Sequence, residues 1–382
     1  MLHSFDTYLP WFILREIPFI GNTAYKRLID HLGSALHVLS ASRNQLQSID
    51  KISPRIIQGI LNHKIYVDKA KQELELVLNN HYKILTLTDS DYPTLLCNIP
   101  DPPPILTYLG SIDNQSPCIS IIGSRNATRY GLSSAQDLSS RLSRKGFQIV
   151  SGLARGIDSM AHKGALKANK RTIAVMGSGL NKIYPRENKQ LFHDIAQTGT
   201  IYSEFKINAD PVPSNFPVRN RIIAGLSCGT VVVEAAKRSG SLITARLAGE
   251  YNREVFAVPG SIVSSKSQGT HSLLKQGAKL VENEMDIIDE LGQFIHVKNE
   301  APAFKKEKTN LLSQNITCKN DAGYIIHFLE PYPVHIDFLI QKSAMDSAKV
   351  TSQLLDLELS GQVTRHQGNY YSISEDYNCQ NR

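Results

Sequence analysis

The chain has 382 residues, 41% hydrophobic and 20% charged, the composition of an ordinary globular protein with ample core and room for two or three domains. Its 42 Lys and Arg against 35 Asp and Glu leave a net charge of +7, a mild tilt toward polyanions that excludes no partner class by itself. The five cysteines, Cys97, Cys118, Cys228, Cys318 and Cys379, exclude a disulfide framework and a zinc site, because they are odd in number and none lie close in sequence.

A reducing compartment follows from that cysteine usage. Asp6 and Arg15 interrupt the first apolar stretch, which therefore reads as neither a signal peptide nor a membrane span. The expectation is a cytoplasmic protein with no membrane contact.

Residues 1–82 read as helical. Trp11, Ile13, Leu14 and Ile17 recur at helical spacing, Ile17-Pro18-Phe19-Ile20-Gly21-Asn22 breaks the pattern, and Tyr25 to Ile29 resumes it. A weaker echo follows at Ile52 to Ile57. This resembles a helix-hairpin-helix or SAM-like module, whose hairpin amides either touch a DNA phosphate or serve protein contacts alone. Asn22 departs from the small residue or proline more usual there.

Residues 83–295 read as one parallel α/β domain. Ile84–Leu87 and Ile105–Gly110 are strands beside proline-rich segments that cannot be helix interior. Further strands fall at Ile119–Ile122, Phe147–Val150, Thr172–Val175, Thr200–Ser203, Thr230–Val233 and Val255–Ala257, with helical patterns between them. Near-continuous apolar strands with helical crossovers predict a parallel sheet covered on both faces, and ligands on such sheets sit beyond the carboxyl ends of the strands. Residues 296–316 are polar and broken, a linker. Residues 317–376 read as helices at Ala322–Leu329, Val334–Gln341 and Asp346–Leu359, then a two-stranded hairpin with a Gly368-Asn369 turn. Three helices and a wing suggest a winged-helix unit. Its third helix carries Lys349 as its only basic residue, which favours a protein contact or a modest DNA role.

The loops after the strands carry the chemistry. Gly123-Ser124-Arg125-Asn126 follows the first parallel strand; Ser124 can donate to a phosphate and Arg125 can grip one with two N–H groups, although a tight turn explains the same residues. Gly152-Leu153-Ala154-Arg155-Gly156 is a second such loop, with Asp158 and His162 beyond it read as structural. Gly177-Ser178-Gly179 lacks the third glycine of a dinucleotide fingerprint, and Arg186 after Tyr184-Pro185 is the next phosphate candidate. Arg219-Asn220-Arg221 cannot place both arginines on one narrow helix face; one pairs with an acid such as Glu204 or Glu234 and the other meets ligand, in an order the spacing leaves open. Lys237, Ser239, Gly240, Ser241 and Thr244 combine charge, hydroxyls and a helix start into an anion cradle. Five such loops at one sheet edge form a basic, hydroxyl-rich groove suited to an extended polyanion, single-stranded nucleic acid above all, with Tyr130, Tyr184 and Phe216 as stacking partners.

These motifs in this order, with Val258-Pro259-Gly260 after them, resemble the DprA/Smf family over about residues 92–291. The resemblance implies an extended Rossmann-like domain between the helical and winged-helix units. It implies a protein that binds incoming single-stranded DNA, protects it and loads the RecA recombinase during natural transformation. It also implies a homodimer with no catalytic residue, metal or cofactor. Carried over, Ser124, Arg125, Arg186 and Lys237 to Thr244 are DNA-phosphate contacts. His271 stands where the family usually has Asn. The competing expectation is an enzyme: Cys228-Gly229-Thr230 with Glu234 faintly resembles the motif of nucleotide phosphoribohydrolases, whose leading glycines are replaced here by Leu226-Ser227-Cys228. A third is a sequence-specific regulator acting through the winged helix.

Overall fold

The first residues form helices because their apolar positions recur at helical spacing: α1 (Leu2–Glu16), α2 (Asn22–Leu32), α3 (Ala35–Ser40), α4 (Arg43–Gln47), α5 (Pro54–Leu61) and α6 (Val67–Asn79). Ser34, Ser42 and Ser53 cap α3, α4 and α5 by accepting from the third helical N–H, and Pro54 takes the first position of α5, where no N–H is needed. The computed structural model describes residues 2–292, 325–329, 334–343, 345–366 and 368–373. They belong to two units that divide between Lys298 and Asn299.

In the first unit the helices continue into a sheet through one apolar core. Phe12, Leu14, Leu28, Ile60 and Leu74 belong to the same buried cluster as Leu85, Leu106, Val175 and Tyr202. Polar ties reinforce the junction. The buried Glu16 carboxylate is held by Lys206 at 2.6 Å and Lys69 at 3.1 Å, and Glu73 accepts from Ile207 N–H at 2.8 Å. A buried carboxylate is tolerable only when paired in this way. At the hairpin between α1 and α2, the Asn22 amide donates to Glu204 at 3.3 Å, so this corner faces the sheet.

The sheet segment runs β1 (Lys83–Thr86), α7 (Thr94–Cys97), β2 (Ile105–Gly110), β3 (Cys118–Ile122), α8 (Arg129–Arg144), β4 (Gln148–Ser151), α9 (Ile157–Lys167) and β5 (Thr172–Val175). It continues through a 3-10 turn at Arg186–Asn188, α10 (Lys189–Thr198), β6 (Thr200–Ser203), α11 (Asn215–Leu226), β7 (Gly229–Val232), α12 (Ser241–Glu250), β8 (Glu254–Ala257), α13 (Gln268–Lys275), β9 (Lys279–Leu280) and α14 (Glu284–Glu290). The nine strands lie in the order β1-β2-β6-β5-β4-β3-β7-β8-β9. Strands β3 to β9 pair in parallel, and β1 and β2 add an antiparallel edge. Successive residues of the central strands feed opposite cores, Ile121 and Val231 on one face, Ile122 and Val232 on the other. The chain therefore starts at β3, walks outward to β6, and returns beside β3 with β7. Such a reversal opens a crevice between the two strands at their carboxyl ends. The expected strands are all present within a residue or two. The edge strand β9 is an addition, invisible in the sequence because Lys279 and Leu280 form no apolar run.

The second unit contains a 3-10 turn at Ile325–Phe328, β10 (Val334–His335), α15 (Ile336–Ser343), α16 (Ser347–Leu359), β11 (Val363–His366) and β12 (Tyr370–Ile373). Leu339, Val350, Leu354, Val363 and Tyr371 make its core. Gly368 and Asn369 both take positive φ in the turn before β12, as the sequence predicts. The sheet has three strands, β10-β12-β11, rather than the two expected. Val334 and His335, read as helical, pair instead with Tyr371 and Tyr370, and the helix begins at Ile336. This is a winged-helix architecture. The linker at 296–316 and the first three residues of the helix expected at Ala322–Leu329 lie outside the described residues; the described part of that helix is the 3-10 turn at Ile325–Phe328.

Candidate nucleic-acid interface

A cavity of about 580 Å³ opens at the β3/β7 switch point. Its walls are the loop after β3, the loop after β7 and the starts of α11 and α12, including Gly123, Ser124, Arg125, Asn126, Asn220, Ser239, Gly240 and Ser241. A smaller cavity of about 170 Å³ adjoins it and brings in Gly152, Arg155 and Pro185 from the next loops. Both share Arg125, Asn126, Tyr184 and Phe216.

The β3 loop is held by backbone. Ser124 N–H donates to the Glu234 carbonyl at 2.7 Å, and Asn126 N–H donates to Ser124 Oγ at 3.2 Å. Arg125 stands exposed with no ion pair among the described residues, its guanidinium 5.0 Å from the Phe216 ring centroid. Phe216 in turn meets Tyr184 at 5.8 Å between centroids, tilted by 45°. Cation, ring and ring thus form a strip along the cavity. Arginine on an aromatic face keeps its N–H fork directed outward, ready for phosphate oxygens.

Gly156 locks the second loop against the first. Its φ is +75°, and a Cβ there would overlap the Ser124 carbonyl, to which Ile157 N–H donates at 3.2 Å. Gly152 is similarly required, because a Cβ would overlap the Arg219 guanidinium.

Arg219 and Arg221 are both buried. Arg219 is 3% exposed; its Nη1 donates to the carbonyls of Gly152, at 2.6 Å, and Val175. Desolvation pulls its pKa down to about 10 against the pull of Asp158. Asp158 accepts from Gly152 N–H at 3.1 Å, and burial raises its pKa while Arg219 opposes the rise. Arg221 pairs with Glu204 and donates to the Asp101 carbonyl at 2.6 Å. One arginine does pair with Glu204, as expected. The other forms the cavity's inner wall rather than an open ligand contact, because backbone carbonyls and Asp158 claim it.

The remaining candidates divide. Ser239 and Ser241 share a hydrogen bond of 2.8 Å between their hydroxyls at the start of α12, where Ser241 N–H donates to Ser239 Oγ at 3.4 Å and the N-cap residue is Gly240. Thr244 lines the cavity but is almost wholly buried. Lys237 is exposed in the loop between β7 and α12, and Arg186 is exposed beside Tyr184-Pro185; neither lines either of these two cavities. Arg155 is paired with Glu187 at 2.6 Å on the surface, a contact that a phosphate can displace.

Glu234, the acid of the enzyme reading, has a structural task. It is 4% exposed and accepts from Thr128 N–H at 2.9 Å and from the Thr128 hydroxyl, anchoring the first turn of α8. It faces a different crevice from the Arg125–Phe216 strip. What the sequence could not show was Lys266, whose Nζ donates to the Asn126 carbonyl across the site. Among the described residues no cluster of three His, Cys, Asp or Glu is placed to hold a metal, and no helix is long and apolar enough to cross a membrane.

Fold and crevice together define a doubly wound, Rossmann-like protein with a groove lined by an arginine and aromatic rings at its switch point. Residues 83–292 match the model of the family DNA recombination-mediator protein A, and residues 319–369 match the DprA winged helix domain. The chain belongs to the DNA recombination-mediator protein A family. Protein Smf of Synechocystis sp. is 34% identical over 389 residues, covering 94% of this chain and 97% of that protein. The X-ray structure of DNA processing protein A from Streptococcus pneumoniae superposes with a TM-score of 0.66 at 34% identity, covering 74% of this chain and 98% of that one. That of the Helicobacter pylori protein, solved for its single-stranded DNA binding mode, gives 0.51 at 32% identity, covering 56% and 99%.

Proposed function

We propose that this protein binds single-stranded DNA along the switch-point groove, protects it, and loads the RecA recombinase onto it during natural transformation and recombination. The observation that carries the reading is the Arg125–Phe216–Tyr184 strip, which offers a phosphate contact and base-stacking faces side by side in an open groove. Family membership and the single-strand binding of the Helicobacter pylori relative support it. The protein acts by binding rather than by catalysis, in the cytoplasm and as a homodimer.

The test is RecA filament assembly on single strands precoated with single-strand-binding protein, followed by ATP hydrolysis, together with digestion of the same strands by an exonuclease. The reading expects faster filament assembly and slower digestion, both reduced in Arg125→Ala. Binding with protection but no effect on RecA would remove the loading step and keep the groove.

A further inference from the structure

Across the Ser124–Thr128 loop from the groove lies a second open cavity, of about 590 Å³, bordered by Thr128, Tyr130, Glu234, Pro259, Ser261 and Ser264. Lys266 ties its far wall to the first loop through the Asn126 carbonyl. Tyr130 is 53% exposed, yet its hydroxyl is fixed on the Pro259 carbonyl at 3.0 Å, so the ring is held in place. The rim is a tight turn in which Ser264 N–H donates to the Ser261 carbonyl at 3.1 Å. Its two central residues are Ile262 and Val263, 89% and 90% exposed. Central turn positions ordinarily carry Gly, Pro, Asn, Asp or Ser, and two β-branched aliphatic residues there stand open among the described residues.

We propose that this cavity is a second subsite of the same strand, taking an unpaired nucleobase rather than a phosphate. The inference rests on the single-strand reading of the Arg125–Phe216 groove. No Lys or Arg lines the cavity, and its one charged group is the Glu234 carboxylate, which repels phosphate. A fixed aromatic face, an aliphatic tip and a rim of hydroxyls match the faces and N–H edges of a base. Phosphates stay on the Arg125 side of the loop while a base reaches over it.

The experiment uses the full chain and oligo-dT carrying one 5-iododeoxyuridine at successive positions, with irradiation and peptide mapping. The expected result is an adduct on Tyr130 from positions displaced along the strand from those that label Tyr184 or Phe216. Adducts at Tyr184 or Phe216 from some positions and at Tyr130 from none would overturn the subsite and leave the groove standing. Wild-type protein that binds no oligonucleotide takes both down. A second measurement uses the double variant Ile262→Ser, Val263→Ser, whose exposed positions leave the fold intact. Its affinity for long oligo-dT should drop roughly tenfold, the scale of burying one aliphatic side chain against the strand. Unchanged affinity, with or without a change in sedimentation that would assign the tip to a second copy of the chain, overturns the proposal.

Discussion

The guanidinium of Arg125 lies 5.0 Å from the centroid of Phe216, on a ring that also meets Tyr184. The pair divides the work of holding a single strand, charge to the first and stacking to the second. Phe216→Ala should weaken single-strand binding by about 1–3 kcal/mol, the scale of one base–aromatic stack. Arg125→Ala should lower the slope of log affinity against log salt by roughly 0.7, one phosphate on a single strand. A salt titration of both variants checks the division; equal slopes in wild type and Arg125→Ala contradict it.

Arg219 sits within the same walls but acts on the fold. Arg219→Ala removes the nearer cationic influence on buried Asp158 and leaves the Gly152 and Val175 carbonyls without their donor. Each buried carbonyl left without its donor costs about 1–3 kcal/mol. Urea unfolding should show that loss in Arg219→Ala, against a change within about 0.5 kcal/mol for the exposed Arg125→Ala. Similar stabilities for the two variants would contradict the assignment of Arg219 as wall.

These two arginines also mark how much the sequence discloses. Apolar runs located the strands from β1 to β8 because each buries half or more of its residues, and loop residues announced the sheet edge where they would gather. Burial of Arg219 was not legible, because its acceptors are backbone carbonyls at the carboxyl ends of two strands, β4 and β5, which no side-chain pattern records. Glu234 was equally opaque: its partner Thr128 lies 106 residues away. Strand β10 was hidden for the same reason, since Val334 and His335 are extended only by pairing with Tyr371 and Tyr370.

His162 makes the stability depend on pH. The Thr172 hydroxyl donates to the Ile149 carbonyl at 2.7 Å, so it accepts from the imidazole Nδ1–H at 2.8 Å; Nε2 is buried without a partner. Burial, and secondarily Arg219, push the imidazole pKa down to about 3. Between that value and about 6.5 the unfolded chain binds the proton and the folded one does not, so stability falls as pH falls through this window. From pH ~7 to pH ~5 the loss is about 2 kcal/mol. Urea midpoints at both pH values should show wild type losing that much more than His162→Gln; equal losses contradict the account.

Glu234 should behave as a cap. In Glu234→Gln the amide oxygen can keep the Thr128 N–H only if the NH2 turns the Thr128 hydroxyl from donor into acceptor, and both charge-assisted bonds to the carboxylate are lost. The expected destabilisation is about 1–3 kcal/mol. Wild-type protein incubated with nucleoside monophosphates should release no free base by chromatography. Release that disappears in Glu234→Gln would restore the hydrolase reading.

The central claim is that the switch-point groove holds a single strand through several phosphates. Fluorescence anisotropy of a labelled oligo-dT against a duplex of the same length, over a series of salt concentrations, tests it most directly. The account predicts marked preference for the single strand, with a salt slope equivalent to several phosphates at roughly 0.7 each. Preference for the duplex, or binding without salt dependence, would contradict it.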